Sequence, residues 1–353
     1  MSADPTGLAP FSEDRAESIG MIRDSAQGLL GADMARVRKL RFTEPGFDPA
    51  LVREMGAAGW IGLMIEEAKG GTGLGHAEMA ALAEELGRAC APEPLTSLQL
   101  SAALLAAAGH DLLPQMLSGE AIVLTAWQDR PNTLEPATGD GPRRFVPMAA
   151  GATHFLFVSG GNLHLLPASD VTLETEQRQD GGHFGTVRPK GALPAPIATG
   201  LGEAIAAALD RAALATAAEL LGGMEASFAM TLDYLRTRKQ FGTVIGKFQA
   251  LQHKAADARV QLSLARAAVE EAAFELDEGT GGPAIVARAK ARASDAAMAV
   301  QQAALQLHGG IGYTDEYDQG LHLRRAMVLV PSFGGAALHR ARFMALEPET
   351  EDA

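Results

Sequence analysis

From Phe248 to Leu276, apolar residues fall at Phe248, Leu251, Ala255, Ala258, Leu262, Ala265, Val269, Ala272 and Leu276. The spacing alternates threes and fours without a break, which places one continuous stripe on a single long helix facing a partner helix. Many stripe residues are alanine, so the partner can approach closely. The next segment, Ala284 to Gln306, is alanine-rich and helical by propensity. Gly279 to Gly282, followed by Pro283, separates the two as a stop and then a start. An antiparallel helical bundle follows from this pattern.

The rest of the chain divides by texture. Glu13 to Met116 reads as helical and rich in Ala and Leu, punctuated at Gly70-Gly71-Thr72-Gly73. From Leu117 to Thr199, short apolar runs (Ala121–Ala126, Phe155–Ser159, Leu163–Leu166) sit between Pro, Gly, Asp and Asn clusters, as strands joined by turns do. From Gly200 onward the texture is helical again. The expected organisation is an N-terminal helical domain over 1–116, a short middle β domain over 117–199 and a C-terminal four-helix-bundle domain over 200–353. The fold class is therefore α+β and mostly α.

Composition excludes several classes. A net charge of −13 lacks the basic clusters that a nucleic-acid binder needs. No apolar run approaches a membrane span. The polar start, Met1 to Arg15, is unlike a signal peptide. The lone cysteine, Cys90, excludes an intrachain disulfide and a cysteine metal cluster, and suits a reducing, cytoplasmic compartment. No His/Asp/Glu spacing suggests a metal.

Two motifs carry candidate chemistry. In Arg238-Lys239-Gln240-Phe241-Gly242 the Arg and Phe lie three apart, on one face near a helix end that Gly242 closes. An Arg beside an exposed aromatic can bind a pyrophosphate and pack against an adenine. It can equally be a surface Arg and a core Phe before a helix cap. In Gln306-Leu307-His308-Gly309-Gly310-Ile311-Gly312-Tyr313-Thr314 the glycines permit positive φ and close approach of a ligand, or serve as a plain helix cap and loop. No βαβ unit surrounds them, so they are no dinucleotide fingerprint.

Taken together, Arg-Lys-x-Phe-Gly, Phe248-Gln249, Gln252-His253, Gln-x-x-Gly-Gly-x-Gly-Tyr-Thr and Arg324 before Ala326 resemble the carboxy-terminal domain of the acyl-CoA dehydrogenase family. Gly59-Trp60, Glu66-Glu67 with Gly70-Gly71, and Glu84-Glu85-Leu86-Gly87 are similar to its amino-terminal succession. The resemblance implies a helical domain, a small β domain and a helical bundle, assembled as a tetramer, that dehydrogenates an acyl-CoA thioester with FAD and a carboxylate base. It also implies that Arg238, Phe241, Gln306 and Gly310 contact the FAD of a neighbouring subunit.

The base itself is missing. One family position for the glutamate falls in Ser332-Phe333-Gly334-Gly335, on Phe333; the other falls on Ala212. Asp210 and Glu203 lie near as candidate substitutes, and each also reads as a solvated or helix-start carboxylate. The middle zone is short for the family. It has Leu124-Thr125-Ala126-Trp127-Gln128-Asp129 where a flavin-holding loop is expected, and no clear match to the flavin-holding strand. Such a chain resembles the companion subunit of an α₂β₂ acyl-CoA dehydrogenase for bulky substrates, working with a glutamate-bearing paralogue. A flavin-free helical scaffold, a flavin monooxygenase or oxidase on the same fold, and a homo-oligomer are the other expectations.

Overall fold

The computed structural model describes residues 12–31 and 33–347. The first eleven residues of the polar start and residues 348–353 of the acidic end lie outside the described residues. Six helices come first: α1 (Glu13–Leu30), α2 (Met34–Leu40), α3 (Pro49–Ala57), α4 (His76–Arg88), α5 (Leu95–Ala108) and α6 (Leu113–Leu117). Asp33 and Asp48 start α2 and α3, their carboxylates accepting from the Ala35 and Ala50 amides at 2.8 Å.

Six strands follow: β1 (Val123–Ala126), β2 (Arg143–Pro147), β3 (His154–Ser159), β4 (Asn162–Pro167), β5 (Val171–Gln177) and β6 (His183–Pro189). They form two three-stranded sheets, ordered β1-β3-β4 and β2-β6-β5. β1 runs parallel to β3, with Thr125 opposite Leu156; the other pairs are antiparallel. The first sheet is the buried one, with every residue of β1 and the centre of β3 inaccessible. Its strands are the three apolar runs named above.

The chain then returns to helix: α7 (Gly202–Thr237), a hairpin of β7 (Lys239–Gln240) and β8 (Thr243–Val244), α8 (Gln249–Asp277), α9 (Pro283–His308), α10 (Gln319–Leu329) and α11 (Ala336–Leu346). The α8 stripe is buried from Ala255 to Ala272, with Leu251 and Leu276 half-buried. Phe248 sits just outside the helix, as its N-cap. The architecture is the expected mostly helical α+β fold: helices, middle β-sheets, helical bundle. No helix among the described residues is long and apolar enough to cross a membrane.

The centre of the molecule is the crossing of α4 and α7. A Cβ on Gly87 would stand 1.8 Å from the Glu219 carbonyl oxygen, and one on Gly222 would stand 1.8 Å from that of Glu84. Each helix therefore presses its backbone onto a glycine of the other. The same two glutamates turn their side chains into buried ion pairs. Glu84 accepts from Arg23 of α1 and Arg266 of α8, both at 2.7 Å, and Glu219 accepts from Arg325 of α10 at 2.7 Å. Burial alone would raise the Glu84 carboxyl, but the bonds from Arg266 and Arg23 outweigh it and hold it below the usual carboxylate range.

This crossing makes a paired prediction. Gly222→Ala should destabilise the protein by about 1–3 kcal/mol or more, because backbone must move to admit the methyl. Gly223→Ala is the control. There a Cβ would meet the Gly87 carbonyl oxygen at 3.6 Å, ordinary contact. It should be neutral or stabilising by up to about 1 kcal/mol through helix propensity. Urea midpoints of the two variants check this; equal midpoints would contradict the close crossing.

Candidate functional site

Arg238 and Phe241 do not share a helix face. Helix α7 ends at Thr237; Arg238 is its C-cap in extended conformation, and its amide donates to the Tyr234 carbonyl at 2.9 Å. The helix expectation is corrected here. Lys239 pairs with Val244 and Gln240 with Thr243, making a two-residue hairpin with Phe241 and Gly242 at the turn. Both central residues have positive φ, 53° and 78°. That geometry matches the twist of the flanking strands, and a bulky residue at the first position is unusual. The turn lifts Phe241 clear of the protein: it is 92 % exposed, touching Phe248 edge-on at a centroid distance of 6.3 Å.

An aromatic cluster brings the second motif to the same end of the bundle. Tyr234, one turn before Arg238, lies 4.8 Å from the His308 ring, which lies 4.8 Å from Tyr317. His308 is the last residue of α9, two beyond Gln306, and its Nδ1–H donates to the Ala304 carbonyl at 2.8 Å. Gln306 and Gly310 are exposed beside it. Gly309 has φ 65° and closes α9, as the cap reading expects. Gly310 differs: its φ is ordinary, and a Cβ there would meet nothing within 4 Å. Nothing within the described chain requires that residue to be glycine. Arg238 is exposed, and its side chain has no ion pair or hydrogen bond among the described residues. By contrast Arg324, from the same set of motif residues, is held by Asp315 at 2.7 Å.

The two expected base positions lie inside, on adjoining clefts. Phe333 lines a cleft of about 190 Å³ with Thr125, Trp127, Phe145 and Phe184, and lies parallel to Trp127 at a centroid distance of 6.3 Å. Ala212 lines a second, narrow cleft between α5 and α7. Leu100 of α5 borders both. No carboxylate lines either of these two clefts. Phe333 also borders a further cleft with Glu93 and Glu219, whose carboxylates are ion-paired with Arg36 at 2.6 Å and Arg325 at 2.7 Å. Asp210 is occupied: both its oxygens accept from Arg342, the longer bond at 2.9 Å. Glu203 is exposed in the first turn of α7. Among the described residues no cluster of His, Cys, Asp and Glu could hold a metal.

A buried lysine, not singled out in the sequence, holds the Phe333 loop. Lys290 of α9 donates to the carbonyls of Val330 at 2.9 Å and Gly334 at 3.0 Å, and to Ser294 Oγ at 3.1 Å. His339 Nε2–H donates to the Phe333 carbonyl at 2.8 Å. These bonds fix Phe333 at φ 52° and Gly334 at φ 91°. In the sequence Lys290 looks like one more surface cation on an alanine-rich helix.

Lys290→Met should leave two buried carbonyls without their donor, costing about 1–3 kcal/mol for each. A lower urea midpoint and faster proteolysis between residues 331 and 335 are the expected readouts. The pH dependence has a definite sign. Burial pushes the Lys290 pKa down to about 7 from 10.5, so between those values the unfolded chain binds more protons than the folded one. Raising the pH from 7 to 10 should therefore stabilise the natural protein relative to Lys290→Met. A midpoint difference that is constant over this range would contradict it.

Comparison with known proteins agrees with this construction. Residues 16–120 match the acyl-CoA dehydrogenase N-terminal domain and residues 199–344 match the acyl-CoA dehydrogenase C-terminal domain. The acyl-CoA dehydrogenase IpdE2 of Mycobacterium tuberculosis is 32 % identical over 318 residues, covering 87 % of this chain and 90 % of its own. A variant of the Tcur3481–Tcur3483 steroid ACAD superposes with a TM-score of 0.85 at 28 % identity, covering 94 % of this chain and 98 % of its own. The ChsE4–ChsE5 complex from Mycobacterium tuberculosis shares the fold, with a TM-score of 0.82 at 24 % identity over 97 % of this chain and 99 % of the matched one. This chain belongs to the acyl-CoA dehydrogenase family.

Proposed function

We propose that this chain is the companion subunit of a heteromeric acyl-CoA dehydrogenase. It lends Arg238, Phe241, Gln306 and Gly310 to an FAD seated in a neighbouring subunit, and it supplies no general base. The observation that carries this reading is an asymmetry. The outward half-site keeps a free guanidinium, an aromatic ring 92 % exposed and a glycine that no packing within the described chain requires. The two inward clefts bordered by Phe333 and Trp127 and by Ala212 present no carboxylate, and the two carboxylates of the further cleft at Phe333, Glu93 and Glu219, are held in ion pairs by Arg36 and Arg325.

The outward residues suit the adenosine pyrophosphate end of FAD. The Arg238 fork matches a phosphate oxygen pair, and its charge is unneutralised within the chain. Phe241 offers a flat apolar face. Gln306 can donate and accept, and Gly310 lets a ligand reach the backbone. Bound FAD supplies the hydride acceptor for α,β-dehydrogenation of an acyl-CoA thioester. The carboxylate that removes the α proton comes, in this reading, from a glutamate-bearing paralogue. The likeness to the Tcur3481–Tcur3483 steroid ACAD supports a two-chain assembly and a bulky, steroid-derived acyl group. A flavin-free scaffold would leave the unpaired Arg238 and the unconstrained Gly310 without a purpose.

Arg238→Ala, in the complete assembly, should weaken flavin retention about ten- to a hundredfold, the worth of a charge-assisted bond. The stability of the chain alone should change by less than about 0.5 kcal/mol, as for an exposed side chain. Flavin content after dilution and gel filtration measures the first, a urea midpoint the second. Full flavin content in the variant would contradict the role.

This chain purified alone should dehydrogenate acyl-CoA thioesters about 10²–10⁴ times more slowly than its assembly, the usual contribution of a positioned base. Turnover by the isolated chain equal to that of the assembly would mean that a base acts from within it.

A further inference from the structure

The loop over residues 309–318 joins α9 to α10 and carries Gly310 of the outward half-site. Burial does little to hold it, because only Gly312 among these residues is buried. At the bundle end the Tyr317 ring rests against His308 at 4.8 Å and Tyr234 at 6.2 Å. The middle of the loop is held by charge, from a distant part of the chain. One oxygen of Asp315 accepts from Arg41, just after α2, and from Arg324 of α10, both at 2.7 Å. Arg38 of α2 donates through Nε to the Asp315 carbonyl at 3.0 Å and through Nη1 to the Asp318 carboxylate.

Arg41 is a fixed anchor. Its side chain is only 8 % exposed, whereas that of Asp315 is 61 % exposed. The next residue, Phe42, donates its amide to the Gly181 carbonyl at 2.6 Å. A Cβ on Gly181 would stand 2.6 Å from the Arg41 Cβ, so the turn between β5 and β6 presses on the arginine. Among the described residues Asp315 is the only carboxylate in ion-pair contact with Arg41 or with Arg324. Their bonds hold the Asp315 carboxyl below the usual carboxylate range. We propose that Asp315 is a positioning residue for the neighbouring subunit's flavin: anchored on Arg41, it sets the glycine loop so that Gly310 and Arg238 meet one ligand together. The inference rests on the function proposed above. It gives α2, in the N-terminal helices, a part in the half-site without any contact to the flavin.

Asp315→Asn keeps the size of the side chain and removes its charge. In the co-expressed assembly it should weaken flavin retention about three- to tenfold, as for two partly exposed ion pairs lost together. Asp315→Glu should recover part of the loss. Arg41→Gln should weaken retention to a similar extent, and adding it to Asp315→Asn should cost little more, because both remove the same contact. Hydrogen exchange of the chain separates positioning from stability. Asp315→Asn should speed exchange at the amides of 310–317 by a similar factor and leave those of α7 and α9 unchanged.

Arg238→Ala is read in parallel, so that this inference and the half-site itself fail separately. Full flavin content in Asp315→Asn beside lost flavin in Arg238→Ala overturns the positioning role and leaves the half-site standing. Full flavin content in both overturns the two together. Exchange that rises throughout the bundle, or losses that add in the double variant, would mean a general weakening of the fold and would also overturn the proposal. Flavin loss in Asp315→Asn with faster exchange confined to the loop supports it, whatever Arg238→Ala shows.

Discussion

Gly87 and Gly222 let α4 and α7 meet backbone to backbone, and the rest of the structure is arranged around that contact. The residue facing each glycine is a glutamate, Glu219 or Glu84, whose carbonyl touches the opposite helix while its carboxylate reaches outward. Glu84 gathers Arg23 and Arg266, and so fastens α1 and α8. Glu219 takes Arg325, which also reaches Asp180 at 3.1 Å, tying α10 to the turn between β5 and β6. Helices this close leave no room for water, so both carboxylates need charged partners. Any swelling of the crossing would break ion pairs on two sides at once. The lone Cys90 is packed beside this network, where burial pushes its thiol up to about 12 and makes it inert.

The crossing also sets the geometry of the surface. Helix α7 runs from the apolar cleft that holds Ala212 to the hairpin that holds Phe241. Along its length it packs against α4, α8 and α9. The Tyr234, His308 and Tyr317 rings then set the hairpin beside the end of α9. The same bundle therefore carries inward carboxylates that are ion-paired, such as Glu219 with Arg325, and an exposed Arg238 with no ion pair among the described residues. Lys290 and His339 add a third constraint by clamping the Phe333 loop through its carbonyls, so the ring at that position is held rather than free.

Much of this was legible from residues. The α8 stripe, the glycine–proline break and the α9 segment depend on local periodicity, which tertiary structure did not override. The three strands of the buried sheet were visible as apolar runs. Strands β2, β5 and β6 were not, because their sheet is partly solvated and polar residues such as Glu174, Thr175 and Glu176 stand on it. The hairpin was misjudged as a helix end: Arg and Phe at a spacing of three suit either, and only the positive φ of Phe241 separates them. The residues at the two positions where the resemblance expects a base, Phe333 and Ala212, were legible. The buried Lys290 was not, since burial depends on neighbours far along the chain. The helix crossing was equally hidden, because Gly87 and Gly222 look like weak points within helices until each is set against the other.

The central claim is that this chain completes a flavin site whose inner cradle and base belong to another subunit. The most direct test is co-expression with a glutamate-bearing paralogue, followed by mass from light scattering and flavin content from absorbance. The account predicts a heterotetramer with about two FAD per four chains, one for each pairing of an inner cradle with an outward half-site. A homotetramer of this chain alone, carrying one FAD per chain and indifferent to any partner, would contradict it.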